Sequence, residues 1–135
     1  MPIEFRSDAL QRSLAALHRD APAILGSAII TDDGLVIAAY PPGWDRDIHD
    51  PRGGENVAAM AAVVVGTAER TMARLEQGQL ERVLMEGEYG TMGVFPATPD
   101  SALAVLIDKS AKLGLTLHAA RRAAEQIRSI LKQTG

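Results

Sequence analysis

The stretch ENVAAMAAVVVGTAERTMARL, residues 55–75, decides the fold of this chain. It predicts a long helix that is apolar nearly all round, because alanines separate the larger side chains of Val57, Met60 and Val63. A surface helix needs one apolar stripe, which packs against its own core. A second apolar face needs a second cover, and in a chain of 135 residues we expect that cover to be another subunit.

A β-hairpin is predicted before this helix. Two apolar, β-branched runs, residues 24–30 and 35–40, flank the turn signal Asp32-Asp33-Gly34. Prolines and glycines then mark an irregular loop over residues 41–54. A loop of this length favours a functional or mobile segment.

Two further helices are predicted, one near each end of the chain. Ser7 is the predicted N-cap of the first, in which Leu10, Leu14 and Leu17 recur at helical spacing. The last helix covers residues 113–131, where apolar residues again recur at helical spacing. Both helices are therefore amphipathic.

Two paired strands are predicted directly after the long helix. Residues 80–86 alternate in part, which places Val83 and Met85 on one face. Residues 89–95 pair back across a glycine-containing turn.

The remaining strand completes the predicted sheet. Pro96 and Pro99 are expected to break the preceding strand, and residues 102–107 form the continuous apolar run of a central strand. The order α-β-β-α-β-β-β-α predicts a single α+β domain over residues 1–135, with a five-stranded antiparallel sheet.

Charge and hydropathy exclude several classes of protein. The net charge is −3 with both signs interspersed, so the chain lacks the basic field of a nucleic-acid binder. The N-terminal segment carries acidic residues where a signal peptide would be basic. The longest uncharged run, residues 56–68, falls short of the roughly 18–20 residues that span a membrane. We expect a cytoplasmic protein.

The residues predict neither a catalytic centre nor a cofactor site. Gly87, Gly90 and Gly93 form a glycine string, but it lies between strands and lacks the residues of a phosphate loop, which favours a hairpin turn with close strand packing. No cysteine is present to act as nucleophile or metal ligand. The serines lack the context of a nucleophile elbow. The chain is interpreted as a binding module and not an enzyme.

Metal binding is not predicted either. His18, His49 and His118 have no partner at metal-ligand spacing. The loop sequence DRDIHD, residues 45–50, offers carboxylates and a histidine, but it lacks the glycine and terminal glutamate of a calcium loop. A solvated acidic loop is the favoured interpretation.

The outer face of the long helix, with the strand after it, is the predicted interface. The alternative for any single apolar residue is the internal core, but the whole set exceeds what one sheet face covers. Trp44 either caps the core or anchors a partner. The predicted interface residues are Val57, Met60, Ala61, Val63, Val64, Thr67, Arg70, Arg74, Val83 and Met85.

Three segments carry a family resemblance. They are the hairpin SAIITDDGLVIA at residues 27–38, the helix segment VAAMAAV at 57–63 and the strand LAVL at 103–106. With the element order, they resemble the Roadblock/dynein light chain family over residues 10–131. Within the family, the chain is most similar to the bacterial MglB-type members, which regulate a small Ras-like GTPase.

The resemblance implies a Roadblock or profilin-like fold and a homodimer. The long middle helices of the two copies would lie side by side, and the strand after each would pair across the two-fold axis and continue the sheet. The first and last helices would cover the opposite sheet face. The paired middle helices would form a platform for a small Ras-like GTPase.

The resemblance also implies how the GTPase is regulated. MglB-type members supply no catalytic arginine and instead favour the conformation in which the GTPase's own residues contact the γ-phosphate and the attacking water. Arg46 and Arg52, in the long loop, are the candidates for an arginine finger and, with Trp44, candidate partner contacts. The loop over residues 41–54 is longer than the usual family connection and bears on partner access.

Two other functions remain open from the sequence. A structural adaptor would tether a motor or a signalling assembly without regard to bound nucleotide. A small-molecule sensor or cryptic enzyme would use the loop carboxylates and His49.

Overall fold

Three helices and five strands follow one another in residues 3–44 and 49–133, which the computed structural model describes. Their order confirms the α-β-β-α-β-β-β-α prediction and the α+β fold class. In chain order they are α1 (Ile3–Asp20), β1 (Ile24–Thr31), β2 (Val36–Tyr40), α2 (Gly54–Arg74), β3 (Val83–Glu86), β4 (Gly90–Thr98), β5 (Ser101–Asp108) and α3 (Leu113–Lys132).

The five strands form one antiparallel sheet in the order β2-β1-β5-β4-β3. The continuous apolar strand β5 is central, as its composition predicts, and β2 and β3 are the two edges. Each edge therefore exposes one side of its backbone.

Each face of the sheet carries its own core. On one face, α1 and α3 pack through Leu14 and Ile127 onto Ile29, Leu103 and Val105. Successive residues of a strand point to opposite faces, so the neighbours of Ile29 face the other core. Helix α2 packs over this second core. The buried members of this core are Ala28, Ile30, Ala39, Val57, Ala58, Ala61, Val65, Val94, Ala102 and Ala104.

The predicted hairpin turn packs directly on α2. Gly34 has φ of 88°, which favours glycine, and a Cβ there would lie 3.3 Å from the Cα of Ala59 and 3.5 Å from the Cβ of Ala62. Small residues on α2 thus allow the turn to approach the helix.

Two predicted boundaries are wrong. Ser7 is not an N-cap, because α1 already begins at Ile3, and no residue between them interrupts a helix. Strand β4 runs through Pro96 and ends at Thr98. Pro96 is tolerated because it adjoins a register irregularity and because β3 pairs no further along β4 than Val94. The break at Pro99 is confirmed.

Among the described residues, no helix combines the length and the apolar character that crossing a membrane requires.

Candidate interaction surface

The helix α2 has an inner apolar face and an outer apolar face. The inner face packs on the sheet through Val57, Ala61 and Val65. The outer face leaves Met60 51% and Val63 63% exposed. Large apolar side chains on neighbouring helical turns thus form an exposed stripe that the chain itself does not cover.

Polar residues extend this stripe toward the C-terminal end of α2. Thr67, Arg70 and Arg74 are exposed. Thr67 Oγ1 donates to the Val63 carbonyl at 2.8 Å and accepts from Arg70 Nη2 at 3.4 Å. Arg74 lies in the last turn, where a cation is favoured by the helix dipole. We call the outer face from Met60 to Arg74 the α2 stripe.

Two residues of the predicted interface lie elsewhere. Val57 and Ala61 are buried against the chain's own sheet, so neither is available to a partner. Val64 is half-buried, at the border between the two faces. Helical periodicity shows that α2 has two apolar faces, but only its contacts show which one is inside.

Strand β3 presents a regular open edge. Val83 pairs with Val94 and Met85 with Met92, without interruption along the strand. Val94 belongs to the core under α2, so Val83 and Met85 lie on the α2 side of the sheet. Met85 is 50% exposed. The edge therefore offers backbone groups and apolar side chains together.

The other edge, β2, is irregular. Ile29 pairs with Ala38 and Ile30 pairs with Val36, which leaves Ile37 as an extra, bulged residue. A bulge twists an edge and interrupts its hydrogen-bonding row, which discourages the addition of another strand. Of the two edges, β3 is therefore the better template for strand pairing.

Trp44 covers the second core. A Cβ on Gly26 would lie 2.5 Å from the indole Cε2 and Cζ2 atoms, so the ring sits directly on the β1 backbone. The ring also packs against the residues under α2 and is half-buried. This contact agrees with the capping role, one of the two interpretations that the sequence left open for Trp44.

The long loop carries two arginines, Arg46 and Arg52. Arg46 falls in residues 45–48, outside the described residues. Arg52 donates its backbone N–H to Asp50 Oδ1 at 2.9 Å, and its Nε lies 3.4 Å from the same oxygen. These bonds, the backbone one first, hold the pKa of Asp50 below its usual value. In residues 3–44 and 49–133, no three His, Cys, Asp or Glu side chains group as metal ligands.

A buried polar contact joins α1 to the sheet. His18 Nε2 lies 2.8 Å from Ser27 Oγ, and the imidazole ring lies 4.6 Å from the ring of Tyr40. Burial lowers the pKa of His18 to about 4. Ser27 is fully buried and His18 is half-buried, so the contact joins α1 to β1 within the fold. The sequence alone did not predict the His18–Ser27 contact. The sequence feature that points to it is Ser27, a polar residue inside an apolar strand.

The glycine string is structural, as predicted. Gly87 N–H donates to the Gly90 carbonyl at 2.8 Å across the β3–β4 hairpin. A Cβ on Gly93 would lie 3.1 Å from the Phe95 ring and 3.3 Å from a Val105 methyl. Close packing therefore accounts for the glycine at this position.

Comparison with known proteins places this geometry in a family. Residues 10–107 match the Roadblock/LC7 domain. The chain belongs to the Roadblock/LC7 family. Two uncharacterised proteins of Methanocaldococcus jannaschii are 37% and 36% identical to this Roadblock chain over 122 residues, which is 90% of the chain and 98% of each relative.

Solved structures share the Roadblock fold. The gliding protein MglB of Thermus thermophilus superposes with a TM-score of 0.81 at 19% identity, covering 96% of this chain and 93% of that one. MglB of Myxococcus xanthus gives 0.78 at 16% identity, covering 93% and 96%. Profilin IA of Acanthamoeba castellanii gives 0.52 at 12% identity, covering 86% and 96%. These likenesses establish the predicted MglB-like and profilin-like architecture.

Proposed function

We propose that this Roadblock protein is a homodimeric regulator that binds a small Ras-like GTPase and stimulates its GTP hydrolysis. The observation that carries the proposal is the exposed apolar α2 stripe beside a regular open β3 edge, within a fold whose MglB-type relatives the sequence resembles. The protein is a regulator in this proposal and holds no catalytic residue of its own.

Two open features of the chain together support the proposed homodimer. Pairing of β3 with β3 of a second copy removes the unpaired edge and continues the sheet. The same two-fold axis brings the two α2 helices onto one face, side by side, where Met60 and Val63 leave water. The same dimer contact thus covers the α2 stripe and pairs the backbone of the β3 edge.

Substitution of Met60 tests this interface. Met60→Asp buries an unpaired carboxylate between the helices, so we expect a monomer in light scattering. Leu115→Asp is the matched control, because Leu115 is a 71% exposed apolar residue on α3, away from the α2 stripe. A dimer that persists in Met60→Asp contradicts this interface.

The GTPase would bind on the paired α2 helices. Arg70 and Arg74 of α2 supply exposed positive charge to this contact. Such peripheral charges chiefly change the association rate and its salt dependence. Arg52 pairs with Asp50 in its own loop, and its side chain is 72% exposed. Stimulation without an arginine finger rests on the resemblance to the MglB-type members.

The decisive experiment compares nucleotide states. Tagged protein is incubated with lysate of its native organism plus GDP or a non-hydrolysable GTP analogue, and bound proteins are identified by mass spectrometry. We expect a Ras-like GTPase only with the analogue, and we expect its purified form to hydrolyse GTP faster with wild type and Arg52→Ala alike. Equal recovery in both states would favour the structural adaptor instead. Loss of stimulation in Arg52→Ala would favour an arginine finger.

A further inference from the structure

Opposite charges flank the open edge strand. Arg82 directly precedes β3 and Glu86 ends it. Both lie on the same face as Leu84, since alternate residues of a strand share a face. Leu84 pairs with Gly93, whose missing Cβ would contact Phe95 and Val105 of the core under α1 and α3. Arg82, Leu84 and Glu86 therefore face the α3 side of the sheet.

Neither charge has an ion-pair partner among residues 3–44 and 49–133. Arg82 lines a groove shared with Glu125 of α3, but Glu125 Oε1 lies 3.5 Å from Arg121 Nε. Both flanking charges of β3 are thus available to a second copy.

Symmetry restricts how two β3 strands can pair. Antiparallel strands of one sheet are exchanged by a two-fold axis perpendicular to that sheet, which keeps every side chain on its own face. Directly opposite residues share a face. One residue of the strand must therefore lie directly opposite the same residue of the second copy. Within β3 the central candidates are Val83, Leu84 and Met85.

Of the three positions for the two-fold axis, only the one at Leu84 places complementary side chains directly opposite each other in every pair. It places Arg82 opposite Glu86 on the α3 side and Val83 opposite Met85 on the α2 side. A centre at Val83 would place Arg82 opposite Leu84 instead. A centre at Met85 would place Leu84 opposite Glu86. Opposite charges and apolar pairs stabilise neighbouring strands, whereas a charge facing an apolar side chain gains neither interaction.

We propose that two copies of this chain pair through β3 in the register centred on Leu84, and that reciprocal Arg82–Glu86 pairs make the chain select its own copy as partner. The inference rests on the proposed homodimer and adds its register and its specificity residues. On the α3 side, a Leu84–Leu84 contact lies between the two charge pairs. On the α2 side, the Val83–Met85 pairs continue the apolar contact of the α2 stripe. A Roadblock chain without this charge order would leave both charges unpaired or oppose them.

Charge reversal tests the selection. In Arg82→Glu the introduced carboxylate faces Glu86 twice, and in Glu86→Arg the introduced guanidinium faces Arg82 twice. We expect each variant to dimerise roughly ten-fold more weakly than wild type, and an equimolar mixture to form a heterodimer with affinity restored, because every pair is then complementary. Arg122→Glu, the same charge change at an exposed position on α3, should dimerise normally. Mixing that restores nothing overturns the charge pairs.

Disulfide trapping tests the register. The chain contains no cysteine, so a single substitution introduces the only thiol. Directly opposite residues lie within the Cα range of a disulfide, whereas diagonal neighbours lie roughly 7–8 Å apart. We expect Leu84→Cys to cross-link to itself on oxidation. Val83→Cys and Met85→Cys should cross-link only when mixed with each other.

The outcomes separate this inference from the homodimer itself. Self-cross-linking of Met85→Cys or Val83→Cys overturns the Leu84 register while the dimer stands. Self-cross-linking of Ile37→Cys, on the β2 edge, with none at Leu84→Cys overturns the choice of edge. A monomeric wild type in light scattering overturns the proposed dimer, and the register with it.

Discussion

His18 is the residue whose chemistry depends most on the fold. Its ring is half-buried between α1 and the sheet, with Ser27 and Tyr40 as neighbours. Burial disfavours the charged form, and the pKa falls from 6.5 to about 4. The folded protein therefore holds this ring neutral at a pH where the unfolded chain binds a proton.

This difference predicts a loss of stability in mild acid. Between pH 6.5 and about 4 the unfolded state binds more protons at His18, so the free energy of unfolding falls as pH falls. We expect a loss of about 1–2 kcal/mol, smaller than the pKa difference alone implies because solvent screens the half-exposed ring. Urea unfolding at several pH values measures it, and His18→Gln should lack this part of the slope. An unchanged slope in His18→Gln would refute the assignment.

The close approach of Trp44 to β1 requires a glycine at position 26. The indole of Trp44 lies where a Cβ would be, so Gly26→Ala should displace the ring and destabilise the fold by about 1–3 kcal/mol. Trp44 is the only tryptophan, so its fluorescence reports the displacement directly. Gly114→Ala is the control, because a Cβ there meets no packed neighbour within 4 Å beyond the local backbone of α3. Equal stability of the two variants would contradict the close packing of Trp44 on β1.

At the scale of elements, α2 has an inner apolar face that packs on the sheet and an outer apolar face that is exposed. Val65 is 5% exposed and Val63 is 63% exposed, although the two are nearly adjacent and chemically identical. The sequence assigns both to an apolar helix. The rotation of α2 on the sheet, set by the packing of its alanines, separates their roles.

Paired substitutions separate these faces by measurement. Val65→Ala should destabilise the folded chain by about 1–3 kcal/mol, because it leaves a cavity under α2. Val63→Ala removes little intrachain packing, because Val63 is 63% exposed, and should lower dimer affinity with little effect on unfolding measured at low protein concentration. Urea unfolding and sedimentation report the two effects. Equal destabilisation by both would mean that Val63 is also buried within the chain.

At the scale of the molecule, the two edges of the sheet differ in regularity. The bulge at Ile37 protects β2, while β3 keeps a regular ladder beside the exposed stripe of α2. The two clusters of core residues lie on opposite faces, so a contact through β3 and α2 leaves the α1 and α3 layer unchanged. In the proposed dimer, α2 and β3 therefore make the contact between copies, while α1 and α3 pack within their own chain.

A dimer makes the stability depend on protein concentration. If unfolding is coupled to dissociation, Tm rises with concentration, by roughly 5 °C over a hundred-fold range. Wild type should show this rise in differential scanning calorimetry, and Met60→Asp should not. A wild-type Tm that is independent of concentration would contradict the homodimer.

The sequence by itself determined what depends on local order. Helical spacing identified α2 and α3, and the Asp-Gly turn between two β-branched runs identified the β1–β2 hairpin, because periodicity and turn chemistry act between near neighbours. Local signals also misled, at Ser7 and at Pro96, where the surrounding structure outweighs a cap or a proline. The family resemblance rested on these same local segments.

Only the tertiary structure decided what depends on distant contacts. The strand order placed β3 at an edge, the packing of α2 chose Val57 and Ala61 for the core and left Met60 and Val63 outside, and the approach of α1 to β1 created the His18–Ser27 contact. Each of these results from contacts summed across the whole chain. A local pattern records that a face is apolar, but which partner covers it depends on where the other elements lie.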